Sequence, residues 1–185
     1  MSDIVEHWFG TAFQQLHPLL QRLHRTGGVL SGPVQIRFGS GLAGMLGRRI
    51  AHRTGVPTSG ADHHLRVAIH ARDGVLHWER SFDGQSSFSS LFLPVGHYPT
   101  GHWLEQTGPV ALRLGVDIVD GGWHWQHRDS RIRGLPLPAW CLPRLIASKC
   151  VEGSGYRFAV CMSLPLLGFA FAYAGTLALS LDEAA

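Results

Sequence analysis

From residue 58 onward the apolar side chains of this 185-residue chain recur at every second position, almost to its C-terminus. Successive side chains of a strand point to opposite faces, so a period of two specifies half-buried strands rather than helices. Leu65, Val67, Ile69 and Ala71 alternate with Arg66, Ala68, His70 and Arg72. After Asp73-Gly74, Leu76, Trp78 and Arg80 alternate with Val75, His77 and Glu79. An Asp-Gly pair between two alternating runs predicts a two-residue hairpin, because both turn residues must accept positive φ. That turn pairs Arg72 with Val75 and His70 with His77, and it puts Leu65, Val67, Ile69, Leu76 and Trp78 on one face.

The same logic repeats downstream. Val110, Leu112, Leu114, Val116 and Ile118 lead through Asp120-Gly121-Gly122 to Trp123, Trp125 and His127. Residues 145–151 and 156–162 are joined through Gly153-Ser154-Gly155, and strands are expected near 86–93 and 102–107. A proline-rich connection, Gly134-Leu135-Pro136-Leu137-Pro138, precedes Trp140 and Pro143. Phe158 to Leu181 holds no charged residue and is long enough to cross a bilayer as a helix. Its period is wrong for that. Phe169, Phe171, Tyr173, Leu177, Leu179 and Leu181 alternate with small residues, and Pro165 with Gly168 marks a turn, so the run reads as strand.

The N-terminal part has helical spacing. Residues 2–24 read as helix in two pieces, with Ile4, Val5, Trp8, Phe13 and Leu16 recurring in the first and Pro18 opening the second. A helix is expected over 42–54, carrying Leu42, Met45, Leu46 and Ile50 on one face and Arg48, Arg49, His52 and Arg53 largely on the other. Before it, the short strand 34–38 runs into Gly39-Ser40-Gly41-Leu42-Ala43-Gly44, which has the form of a dinucleotide-binding fingerprint. Such a site needs a parallel strand, buried on both faces, after the helix. The next strand here is half-polar and turns straight back at Asp73-Gly74. The glycines therefore read as a tight strand-to-helix corner with close helix packing, not as a cofactor site.

Composition removes several classes. A hydrophobic fraction of 45% excludes a disordered chain. The net charge is +3, the cations are scattered and only one, Lys149, is a lysine, so no nucleic-acid surface is indicated. Cys141, Cys150 and Cys161 form neither a C-x-x-C pair nor a disulfide framework. With no apolar leader near Asp3 and Glu6, a reducing cytoplasm is the expected location, without a membrane span. His70, His77 and Glu79 could hold a divalent metal, but in a chain with twelve histidines a solvated sheet face is the plainer reading. No metal ligand, bound cofactor or catalytic residue is assigned.

Charges on core-facing positions are more informative, because burying one without a partner costs several kcal/mol. Arg80 continues the face of Leu76 and Trp78. Glu105 shares parity with Trp103, and Asp129 with Trp123, Trp125 and His127. In a closed sheet Trp78, Arg80, Trp103, Glu105, Trp125, His127, Asp129 and Arg133 would converge on a mostly apolar cavity, the make-up of a small-molecule site.

Phe13-Gln14-Gln15-Leu16-His17-Pro18, Gly39-Ser40-Gly41-Leu42-Ala43-Gly44 with Arg48-Arg49, Glu105-Gln106-Thr107-Gly108-Pro109, Gly134-Leu135-Pro136-Leu137-Pro138 and Tyr173-Ala174-Gly175 follow in this order. Together they resemble a bacterial family known as a domain of unknown function, DUF 4166, over nearly the whole chain. The resemblance brings no activity and no site residues. It implies an accessory or ligand-binding role, since that domain often follows a saccharopine-dehydrogenase-like reductase domain; the partner here would be a separate reductase.

The expected fold is α+β in a single domain over 1–185. Residues 1–57 form a helical part with one short strand, and 58–185 form the antiparallel meander. Two N-terminal helical segments pack on this curved meander of about eight strands, a partly closed barrel. The expected function is a soluble module binding an apolar or amphipathic small molecule. The alternatives are a cofactor-independent enzyme using Glu105 for acid–base chemistry and a structural or protein-interaction domain.

Overall fold

The computed structural model describes residues 4–85, 88–153 and 155–180. Residues 2, 3, 86 and 87, Ser154 and Leu181, which figure in the sequence-based assignments, lie outside these.

The period-two segments form strands: β1 (Gly28–Phe38), β2 (Asp62–Arg72), β3 (Val75–Phe82), β4 (Phe88–Val95), β5 (His102–Thr107), β6 (Val110–Val119), β7 (Gly122–Ile132), β8 (Leu135–Pro136), β9 (Arg144–Glu152), β10 (Gly155–Leu164) and β11 (Gly168–Ser180). Each pairs antiparallel with its neighbour in the chain, except that β9 skips the two-residue β8 to pair with β7. β1 then pairs with both β2 and β11, so ten strands close into a barrel and β8 lies outside the ring. The expected count of about eight strands is too low, and the expected closure too partial. The reason is β1. Its first half, Gly28 to Pro33, carries a glycine pair and a proline that mask the strand pattern, and its pairing with β11 is a contact between the two ends of the fold.

The Asp73-Gly74 hairpin has the expected register, with Arg72 opposite Val75 and His70 opposite His77. Both turn residues have positive φ, 52° and 76°, as a two-residue turn matching strand twist requires. Leu65, Val67, Ile69, Leu76 and Trp78 are all buried on the inner face. Phe158 to Ser180 forms β10, a turn at Pro165–Leu167 and β11. Among the described residues no helix is long and apolar enough to cross a membrane.

Three short helices complete the fold. α1 (Ile4–Phe9) continues through a 3-10 segment (Gly10–Gln15) to α2 (Pro18–Thr26), which Pro18 opens while the His17 ring accepts the Leu19 N–H at 3.2 Å. These elements bury Val5, Trp8, Phe9, Phe13, Leu16, Leu20 and Leu23. Each such side chain contributes about 1.5–3 kcal/mol relative to exposure. Backbone bonds fix them at one end of the barrel: His17 N–H donates to Gly121 O between β6 and β7, and Tyr98 N–H between β4 and β5 donates to Trp8 O. This end is plugged.

α3 (Gly41–Arg53) lies on the outside, mainly against β11. Its inner face is not the large-residue face that helical spacing suggested. Ala43, Gly44, Gly47 and Ala51 are buried, whereas Leu42 and Met45 are 62% and 59% exposed. A Cβ on Gly47 would stand 2.4 Å from Ala170 O of β11, one on Gly39 1.9 Å from Phe169 O, and one on Gly44 1.8 Å from Gly39 O. The fingerprint glycines thus permit a close approach of helix, corner and strand, with Gly41 at φ +55° turning the chain.

Candidate functional site

The barrel encloses a cavity of about 340 Å³. Its walls are inward positions of the alternating strands, including Leu30, Val67, Phe92, Leu114, Trp125 and Val160. It reaches toward the end opposite the helical plug, where Ile50, Arg53 and Thr54 of α3, Leu137, Cys141 and Leu164 border it. Ten strands leave more room than the eight-stranded barrels whose interiors side chains just fill.

Two polar groups interrupt this apolar lining. In the first, the Arg80 guanidinium on β3 donates to Glu105 Oε1 of β5 at 3.1 Å and to the fully buried Ser90 hydroxyl of β4. Ser90 is bonded in turn to Thr107, whose hydroxyl reaches Glu105 Oε1 at 3.4 Å. The Arg80 and Glu105 side chains are only 12% and 14% exposed. The guanidinium also lies 5.1 Å from the centre of the Phe88 ring and 5.8 Å from that of Trp78. Arg80 Nε and Trp78 Nε1 are buried with no hydrogen-bond acceptor among the described residues. Burial holds the Tyr173 phenol, which also lines the cavity, above its usual range; Arg80 beside it opposes that shift.

The second group centres on Lys149 of β9, 1% exposed. Its Nζ lies 3.1 Å from His24 Nε2 of α2, and 3.8, 4.5 and 5.6 Å from the ring centres of Trp123, Trp78 and Trp125. No carboxylate forms an ion pair with it among the described residues. Burial alone pushes the Lys149 ammonium well below the usual lysine range. Burial, reinforced by the neighbouring Lys149 charge, pushes His24 well below the usual histidine range. Lys149, Trp78 and Trp125 line the cavity. Trp123 and His24 lie beyond it, toward the plug, where the two rings pack at 5.1 Å.

Of the eight residues expected to converge, Trp78, Arg80, Glu105 and Trp125 line the cavity. Trp103 is fully buried but belongs to the plug, packed on Trp8 at 5.4 Å and Trp123 at 6.0 Å. His127, Asp129 and Arg133 do not line the cavity. For Asp129 a bulge is responsible. Arg113 pairs with Asp129 but Leu114 pairs with His127, so Arg128 is an extra residue in β7 and the inward parity switches from odd to even. Ser130 and Ile132 take the inward positions, while Asp129 turns out to an ion pair with Arg113 at 3.3 Å. The His127 ring is tied at the wall to Ser130 Oγ (2.6 Å) and Pro143 O (2.9 Å). Arg133 sits in the exposed Arg133-Gly134 turn.

Lys149 is the residue that sequence reading missed, although the signal was present. It shares parity with Leu145 and Ala147 and is the chain's one lysine, so the test applied to Arg80 and Glu105 selects it too. His70 and His77 stack at 5.0 Å across the first hairpin, and among the described residues no group of three His, Cys, Asp or Glu side chains is placed to hold a metal.

A family model described as a domain of unknown function (DUF4166) matches residues 16–177, which covers every cavity-lining residue named above. No curated protein and no solved structure matches the chain.

Proposed function

The chain belongs to the DUF4166 family of domains of unknown function, and from that premise we propose that its barrel is a binding site for one apolar or amphipathic small molecule. The observation that carries this reading is the 340 Å³ cavity inside the closed barrel, a size typical of small-molecule sites. Apolar walls favour a hydrocarbon body such as a lipid or polyketide-like chain. The uncommitted Arg80 Nε and Trp78 Nε1 donors favour an oxygen acceptor at one place on it, since a buried donor without a partner costs about 1–3 kcal/mol.

Native mass spectrometry of the purified protein, with and without added decanol, tests the reading. A one-to-one complex that is lost when Ala147 at the cavity wall is replaced by Phe supports it. Binding that survives this substitution, or no binding of decanol or any co-purifying molecule, refutes it.

A further inference from the structure

Apart from its contact with His24, Lys149 has no polar task among the described residues. It forms no ion pair there, and its hydrogen-bond partner is the imidazole of His24, whose charged form burial disfavours. Burying a charge without a carboxylate partner costs several kcal/mol, so stability does not explain an amine at this place. Burial and the lack of a carboxylate among the described residues disfavour the charged form, against three indole faces within 6 Å that favour a cation; the amine also has a hydrogen-bond partner at 3.1 Å and a stem that borders the cavity. An uncharged lysine amine carries a free lone pair and attacks carbonyl carbon.

We propose that Lys149 captures an apolar aldehyde or ketone in the barrel cavity as an imine. This inference rests on the cavity's binding a small molecule and adds the chemical class of that molecule. The four-carbon stem lets the amine meet a carbonyl carbon lying between Trp78 and Trp125 while the nitrogen stays within reach of His24 Nε2. The nitrogen lone pair forms the C–N bond as the carbonyl π pair moves to oxygen. His24 Nε2 takes the proton leaving nitrogen and returns it to the oxygen, giving a carbinolamine. Loss of that oxygen as water, with the second nitrogen proton, leaves the C=N bond. One carbonyl and one amine give one imine and one water, with no oxidant or reductant consumed. The apolar walls favour the imine by keeping bulk water from reversing the step.

The test pairs decanal with decanol, which share a chain and differ in the carbonyl. Decanol binding is read by native mass spectrometry. Decanal is incubated with the full chain and cyanoborohydride, which reduces an imine to a stable secondary amine and spares the aldehyde, and the adduct is located by peptide mapping. Since Lys149 is the one lysine, the N-terminal amine is the internal control. The expected result is an adduct on Lys149, its loss in Lys149→Met with only the N-terminal background left, and suppression by excess decanol in the unsubstituted chain. The decanol arm needs no variant, so misfolding of Lys149→Met would not decide the outcome. Decanol binding with decanal trapped solely at the N-terminus overturns the imine and leaves the binding site intact. Failure of both to bind overturns both readings.

Discussion

Replacing Lys149 by Met should stabilise the protein near neutral pH, and the gain should shrink as pH rises. In the unfolded chain the amine holds its proton up to about pH 10.5, the ordinary value for lysine. In the folded chain burial lowers that value, so below pH 10.5 the unfolded state binds more protons and the folded state is penalised. Stability of the natural protein should therefore rise with pH across this window, by about 1.4 kcal/mol per pH unit while the folded amine stays neutral. The penalty grows as pH falls below 10.5, until the folded amine itself takes up its proton. The variant escapes it but leaves His24 without its 3.1 Å partner, which costs about 1–3 kcal/mol. The net expectation is a variant whose stability advantage shrinks steadily between about pH 7.5 and about pH 10. Urea unfolding of both proteins at several pH values between these limits measures it. Subtracting the two curves removes the tyrosines and cysteines they share. A difference that is flat with pH would refute the reasoning, because it would mean that the three indole faces hold Lys149 as a cation.

Further outcomes follow from particular contacts. Ala147→Phe fills existing space at the cavity wall, so decanol binding should be lost with a stability change under about 1.5 kcal/mol, read by native mass spectrometry and urea unfolding. Glu105→Gln leaves the Arg80 guanidinium without its carboxylate in a wall only 12–14% exposed; urea unfolding should show a loss of about 1–3 kcal/mol. Gly44→Ala forces a methyl against Gly39 O and should cost about 1–3 kcal/mol, while calorimetry with NAD shows no binding heat before or after the change. His24, also lowered by burial, should make the protein lose stability as pH falls through 6.5, a slope that lessens in His24→Phe and persists in part through His102, lowered by burial too.

Much of the site was legible because strand periodicity is local. The parity of Trp78 with Arg80 and of Trp103 with Glu105 placed two charges on inward faces, and the barrel brings those charges to 3.1 Å. The same parity argument failed for Asp129 for a specific reason. A single extra residue, Arg128, reverses every position after it, and no turn or glycine in β7 marks the place. Nearby, Gly115 pairs with Gln126 and lets the Arg128 guanidinium come to 2.7 Å from where its Cβ would stand, a proximity visible only once the strands are paired. α3 misled in the other direction. Its large residues formed an apolar stripe, yet its glycines and alanines are what let the backbone settle on β11.

By itself the sequence determined most of the strands and hairpin turns, and the register of the Asp73-Gly74 hairpin, since each rests on alternation and on turn residues within a dozen positions. It also determined that the fingerprint glycines lead into an antiparallel sheet. Only the tertiary structure decided that β1 closes the ring against β11 and that the N-terminal helices plug one end. It likewise decided that Lys149 and His24, 125 residues apart, meet beneath the tryptophans. Those contacts join distant parts of the chain, and their energies depend on burial and shape that no local pattern encodes.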